Sequence, residues 1–314
     1  MDSEFNISTS FTLLGLVEMD GLKYLYSSLS FLIYVLTLLC NLIIVIAVWT
    51  EESLHQPMYV LIASLVLNGI IGSSSFFPKL IVDLVSSTTV ISRDACFIQS
   101  FCLMISAYCE ISTFTLMAYD THLAICHPLR YNSLMSNVVV LNLLVGSFFF
   151  NLIIVLIIIL LSARLPLCGS QINSIFCDNM SLFILSCVDT SMNKLYGTII
   201  FVSYLVTAII IIVYSYIQIF LVCIKVSKDA GKKATHTVVT HLLNFSIFLT
   251  GALFIFIRYR LENTHIPIFI HILLSITALL FPPFLTPLIY GLRTKALKIK
   301  IMCLLHKYMN GDVT

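Results

Sequence analysis

Side chains able to do acid–base, nucleophilic or metal chemistry are sparse along this chain, and their spacing assembles no catalytic set. His236 and His241 share an apolar run, but at i and i+5 they fall on different helix faces and serve a shared metal poorly. There is no HExxH, no GxSxG and no His/Asp cluster on one helix face. Neither an enzyme nor a metal or other cofactor is expected. Glu110 stands out as the single acid deep inside an apolar run. A charge there is costly unless paired or wetted, which makes an intramembrane acid a functional candidate by default. It reads either as part of a polar internal network that shifts with activity or as a neutral, structural carboxyl. Asp120 follows at the end of the same run.

The elements that must position these groups are long and apolar. Of 314 residues, 59% are hydrophobic and 10% charged, whereas a soluble domain is about 25% charged. Lipid has to cover the difference. Seven runs are long enough to cross a bilayer: 25–49, 57–82, 96–121, 138–161, 195–224, 234–257 and 266–290. The fold expected is an all-α membrane protein, a seven-transmembrane helix bundle. After it, Leu292, Ala296, Leu297, Ile301, Leu304 and Leu305 alternate with Lys295, Lys298 and Lys300, as in a short amphipathic eighth helix on a membrane surface. The division expected is an extracellular tail over 1–24, the bundle over 25–290, and a cytoplasmic helix and tail over 291–314. No cleavable signal peptide is visible, so the first run doubles as targeting signal.

With the N-terminus outside, ten of the 17 Lys and Arg residues fall on the inner side and seven on the outer. Asn6-Ile7-Ser8 is a glycosylation sequon that suits an outside N-terminus. Asn179-Met180-Ser181 is a second one, and Asn244-Phe245-Ser246 lies within a span. Of ten cysteines, Cys96, Cys168, Cys177 and Cys187 fall in outer segments, where thiols are usually oxidised. Four cysteines allow three pairings. The basic residues gather on no soluble face, so no nucleic-acid partner is expected. No repeat relates the two halves, which disfavours a transporter.

Where the third span meets a polar loop, Met117–Tyr131 reads MAYDTHLAICHPLRY. Pro128 ends the helix, because it lacks an N–H and biases His127 away from helical angles. This stretch resembles the MAYDRYVAICHPLRY signature of vertebrate olfactory receptors, a branch of the rhodopsin-like (class A) G-protein-coupled receptors. Thr121, His122 and Leu123 are the departures. Pro57-Met58-Tyr59 is similar to the family's PMYFFL, and the following LNGIIGSSSFFPK looks closer to fish-type members. Ser215-Tyr216-Ile217-Gln218-Ile219 is similar to SYxxI, the run Lys232–Leu242 to KAFSTCASHL, and Pro282–Tyr290 to PPxxNPxIY. The likeness covers roughly residues 41 to 300 and at least six motifs.

The resemblance implies a receptor in a cell membrane, with a small-molecule odorant and a heterotrimeric G protein as partners besides membrane lipids. It pairs Cys96 with Cys177 and Cys168 with Cys187, folding the second outer loop into a lid. It makes Asn41 the structural amide of the first helix. On the third span Ser100, Leu103, Met104, Ala107, Tyr108 and Ile111 recur at helical spacing, and the resemblance makes this face a wall of the odorant pocket. Ile200, Phe201 and Tyr204 on the fifth span complete it, with Ala252, Leu253 and Phe256 on the sixth. No acid is expected to face this pocket, so an aminergic ligand is not expected. Arg258 and Arg260, at the outer end of the sixth span, read either as an attraction for an anion or as interfacial anchors. Asp120, Thr121, Tyr216, Lys233, His241 and Tyr290 map to activation and G-protein coupling. Cys303 is a possible acylation site. Thr121 stands where the family has an activating Arg, Gly69 where it has an Asp and Thr286 where it has an Asn, so weakened coupling is an alternative outcome; His122 is one substitute cation.

Overall fold

The computed structural model describes residues 8–225, 228–260 and 268–309. In chain order it has β1 (Ser10–Leu13), α1 (Leu14–Glu18), α2 (Lys23–Thr50), α3 (Pro57–Ser86), β2 (Val90–Ser92), α4 (Arg93–Cys126), α5 (Tyr131–Leu134), α6 (Asn137–Ala163), β3 (Gln171–Ile172), α7 (Asn179–Ile184), α8 (Ser191–Cys223), α9 (Lys228–Arg260), α10 (Ile268–Arg293) and α11 (Lys295–Met309). Seven of these helices, α2, α3, α4, α6, α8, α9 and α10, are long and apolar enough to cross a membrane. The arrangement is a seven-helix transmembrane bundle.

Local chemistry sets the helix ends. Pro57 opens α3 at a position where a missing N–H costs little. The Ser92 and Ser136 hydroxyls cap α4 and α6 by accepting from the amides of Ala95 and Val139. The helix α4 stops at Cys126, just before His127-Pro128. In α10, Pro282, Pro283 and Pro287 lie inside the helix and free backbone carbonyls for other partners. One of these, the Pro283 carbonyl, accepts from the Asn41 side chain at 2.9 Å. Asn41 thereby ties α2 to α10.

Apolar side chains point both ways, as lipid solvation requires. Phe149, Ile153 and Leu160 of α6 are exposed, while Val155 and Ile158 are buried. One core runs through the half of the bundle nearer α11 and includes Ile111, Phe114, Phe248 and Tyr290. A second lies at the opposite end, beneath the strands, and includes Phe11, Leu13, Phe76, Phe77 and Phe176. The segment before α2 is therefore more than a tail. Strand β1 lies between β2, paired antiparallel with Phe11 opposite Ile91, and β3, paired parallel with Thr12 opposite Gln171. Phe11 and Leu13 are fully buried, and each buried side chain of this size contributes about 1.5–3 kcal/mol.

Candidate functional site

The stripe on α4 faces a cavity of about 250 Å³ in the half of the bundle that carries the segment 176–183. Ser100, Leu103, Met104, Ala107 and Tyr108 all line it. Phe201 of α8 and Ala252 and Phe256 of α9 line the opposite wall, with the Phe201 and Phe256 rings stacked 5.2 Å apart. Tyr108 meets Phe201 edge-on at 6.5 Å. Four residues assigned to the pocket on resemblance are absent from its lining: Ile111, Ile200, Tyr204 and Leu253. Ile111 belongs instead to the core at the end of the bundle away from the lid, and Leu253 packs against it.

Tyr204 is used elsewhere. Its hydroxyl donates to Asn151 Oδ1 at 2.7 Å and lies 2.6 Å from Ser112 Oγ, and Asn151 Nδ2 donates to Ser112 at 2.7 Å. This closed ring of bonds joins α4, α6 and α8 just below the cavity. Sequence reasoning missed Asn151 and Ser112. Their only signal was polarity within an apolar run, and that does not reveal which helix a side chain meets.

The expectation that no acid faces the cavity is corrected: Glu110 and Asp178 both line it. Glu110 continues the same stripe, since 100, 103, 107 and 110 fall at i, i+3, i+7 and i+10. Opposite it, Gly69 and Gly72 carry no side chains, so the cavity extends down to the carboxyl. A Cβ on Gly72 would stand 2.7 Å from Ser106 Oγ and would push that hydroxyl aside, away from the Asn68 carbonyl it donates to. Asp178 arrives from above, on the lid, where it caps α7 by accepting from the amides of Met180 and Ser181.

The lid is held at both ends. Disulfides join Cys96 to Cys177 and Cys168 to Cys187. Gln99 adds a tie that sequence reasoning did not find: its Oε1 accepts from the Cys177 amide at 2.8 Å, and its Nε2 donates to the Ser75 carbonyl at 3.2 Å. Asn179, in the second sequon, is buried and accepts from Ser162 Oγ at 2.6 Å, which leaves no room for a glycan in this arrangement. Asn6 lies outside the described residues, as do the side chains of Lys233, Arg258 and Arg260.

A seven-helix bundle with a disulfide-bound lid over an apolar cavity is one setting for the MAYDTHLAICHPLRY run, and comparison with known proteins decides which lineage it is. The olfactory receptor family model matches residues 30–307. The chain belongs to the olfactory receptor family. It is similar to human olfactory receptor 56A4, at 35% identity over 278 residues and 88% of each chain. It is similar also to human olfactory receptor 51L1, at 32% identity over 294 residues and 92% of each chain. Human olfactory receptor 52N2 matches at 29% identity over 314 residues, 99% of this chain and 97% of the relative. The chain is thus a class A G-protein-coupled receptor by family and a multi-pass membrane protein.

In this olfactory receptor the residues mapped to coupling gather at the opposite end of the bundle from the lid. His241 Nδ1 and the Tyr290 hydroxyl are 3.0 Å apart, and that hydroxyl also reaches Met117 Sδ at 3.9 Å. The three residues bring α9, α10 and α4 together in a buried cluster. Tyr216 packs against the same core. Asp120 accepts from the Tyr131 hydroxyl at 2.8 Å, so a phenol stands where an arginine would pair. Burial, and then the charge of Asp120, hold the Tyr131 phenol well above its ordinary pKa, so it remains a donor. Thr121 turns back and donates to its own helix at the Met117 carbonyl, 2.8 Å away. His122 rests beside His127 and Tyr214, and its Nδ1 has no partner. At the surface, Lys300 of α11 pairs with Glu51 at 2.6 Å, and Cys303 is exposed on the same helix.

Proposed function

We propose that this receptor binds a small odorant in the cavity between α4, α8, α9 and α10 and activates a stimulatory olfactory-type G protein, raising cyclic AMP. The lid faces outside, with the glycosylated N-terminus at Asn6, and α11 lies on the cytoplasmic leaflet. The observation that carries this reading is the cavity itself. It lies beneath a tethered lid, and its apolar walls carry a few polar handles, the usual make-up of a small-molecule site. Ligand binding favours a form in which α9 moves away from α10 at the inner end, breaking the His241–Tyr290 contact. Tyr216, Lys233 and the loop after Asp120 then meet the G protein.

A second reading, binding with weak coupling, is favoured by one observation: Thr121 is occupied with its own helix and supplies no cation. The test is an odorant panel on cells carrying a cyclic AMP reporter, comparing the native chain with Thr121→Arg. A response from the native chain supports normal coupling. Silence from the native chain with a response from the variant supports weak coupling, and silence from both contradicts the receptor reading.

A further inference from the structure

We infer that this cavity selects amines: the protonated nitrogen of a small odorant sits at Glu110, and its apolar body fills the space up to the Phe201–Phe256 pair. The inference rests on the odorant-receptor reading and names the ligand class within it. Three observations carry it.

First, Glu110 lines the cavity and has no hydrogen bond or ion pair among the described residues. None of the described lining residues is Lys, Arg or His, so the protein supplies no counter-charge there. A carboxyl in a low-dielectric site gains from an incoming cation far more than one in water does.

Second, another acceptor without a donor lies behind the cavity wall at Gly69. Asn41 is fully buried, and its Nδ2 donates to the carbonyls of Thr37 and Pro283, which fixes the amide's orientation. Its Oδ1 has no donor and lies 3.4 Å from where a Cβ on Gly69 would stand. Gly69 itself lines the cavity. Ser106, which also lines the cavity, spends its hydroxyl proton on the Asn68 carbonyl, so Glu110 lacks a donor from its neighbours and suits an ammonium head with several N–H groups.

Third, the walls above suit the rest of such a molecule. Ser100 stands ten residues above Glu110, about 15 Å along the helix at 1.5 Å per residue. Between them the lining is mainly apolar, with aromatic faces from Tyr108, Phe201 and Phe256. Asp178, at the lid, spends its carboxylate on the amides of Met180 and Ser181 and on the Ser181 hydroxyl, which leaves Glu110 as the acid that meets the ligand. A carboxylic acid of the same size would meet like charge at Glu110 and is selected against.

The experiment uses the purified full-length receptor in lipid nanodiscs and reads ligand binding directly, independent of coupling. Octylamine, 1-octanol, octanal and octanoic acid are compared, then benzylamine and benzyl alcohol. Each amine is expected to bind about tenfold or more tighter than its alcohol, as a charge-assisted hydrogen bond allows. Glu110→Gln is expected to erase that preference, and Glu110→Asp, which keeps the charge, to retain it. Melting of the unliganded variants reports folding; if Glu110→Gln does not fold, the native comparison together with Glu110→Asp decides. Equal or tighter binding of the alcohol, aldehyde or acid, or an amine preference that survives in Glu110→Gln, overturns the inference and leaves the odorant reading standing. Binding by no compound overturns both.

Discussion

Asn151 is a single side chain whose amide satisfies two partners on two other helices. Asn151→Ala leaves Ser112 and Tyr204 each short of a bond in a site with little water. Losing a buried partner costs about 1–3 kcal/mol, so thermal unfolding of the purified receptor should shift clearly downward, while Asn151→Gln should recover part of the loss. Tyr290 works differently, because its hydroxyl holds α9 and α10 together through His241. Tyr290→Phe keeps the ring in place but removes the bond, and is expected to raise basal cyclic AMP relative to surface expression. An unchanged basal level would show that this contact does not restrain the inactive form. At this scale the sequence was informative where helical spacing sufficed: Ser100, Leu103 and Ala107 could be placed on one face. The same rule extended to Glu110 would have found the acid in the cavity. Tyr204 was out of reach, since its neighbours Ser112 and Asn151 are tertiary partners 92 and 53 residues away.

Among the elements, the spans were the most legible, because an apolar run of bilayer length has few other fates. Their ends differ by a few residues from the hydropathy edges. Polar side chains extend the helices past the apolar run, as Arg93 and Asp94 do at the start of α4 under the Ser92 cap. Strand β1 was not legible at all. It is four residues long, and its partners β2 and β3 lie far away in sequence. Its docking depends on a close approach at Gly15, where a Cβ would meet Ile175 Cγ2 at 2.6 Å and backbone of Ser174 at 2.8 Å. Gly15→Val should therefore displace the N-terminal segment from the lid. Faster proteolysis of the N-terminus in intact cells is the expected readout, with the helices unaffected. On the other face, the hydrogen bond from Lys300 to Glu51, and the charge of that carboxylate, raise the lysine's pKa above its ordinary value. The group is raised, so its contribution is complete below the ordinary lysine pKa and is lost as pH rises through the higher value. Varying cytosolic pH near neutrality should leave the α11 attachment unchanged, as a crosslink between positions 51 and 300 would report.

For the molecule as a whole, two chemistries are separated along the bundle axis. The lid, the disulfides and the acid-bearing cavity lie at one end, and the His241–Tyr290 cluster and the cationic α11 at the other. The composition made a bilayer necessary, and the counted spans made an odd number of crossings, so the two termini must face opposite compartments. The basic residues give only a moderate bias toward the inner side, and Glu51 and Glu52 work against it. The separation of roles stands or falls on which end meets the outside. The decisive measurement places one epitope tag before Asn6 and another after Thr314, then stains intact and permeabilised cells. The account expects the first tag to be accessible in intact cells and the second only after permeabilisation. Both tags reaching antibody in the same compartment, or the C-terminal one alone in intact cells, would contradict it.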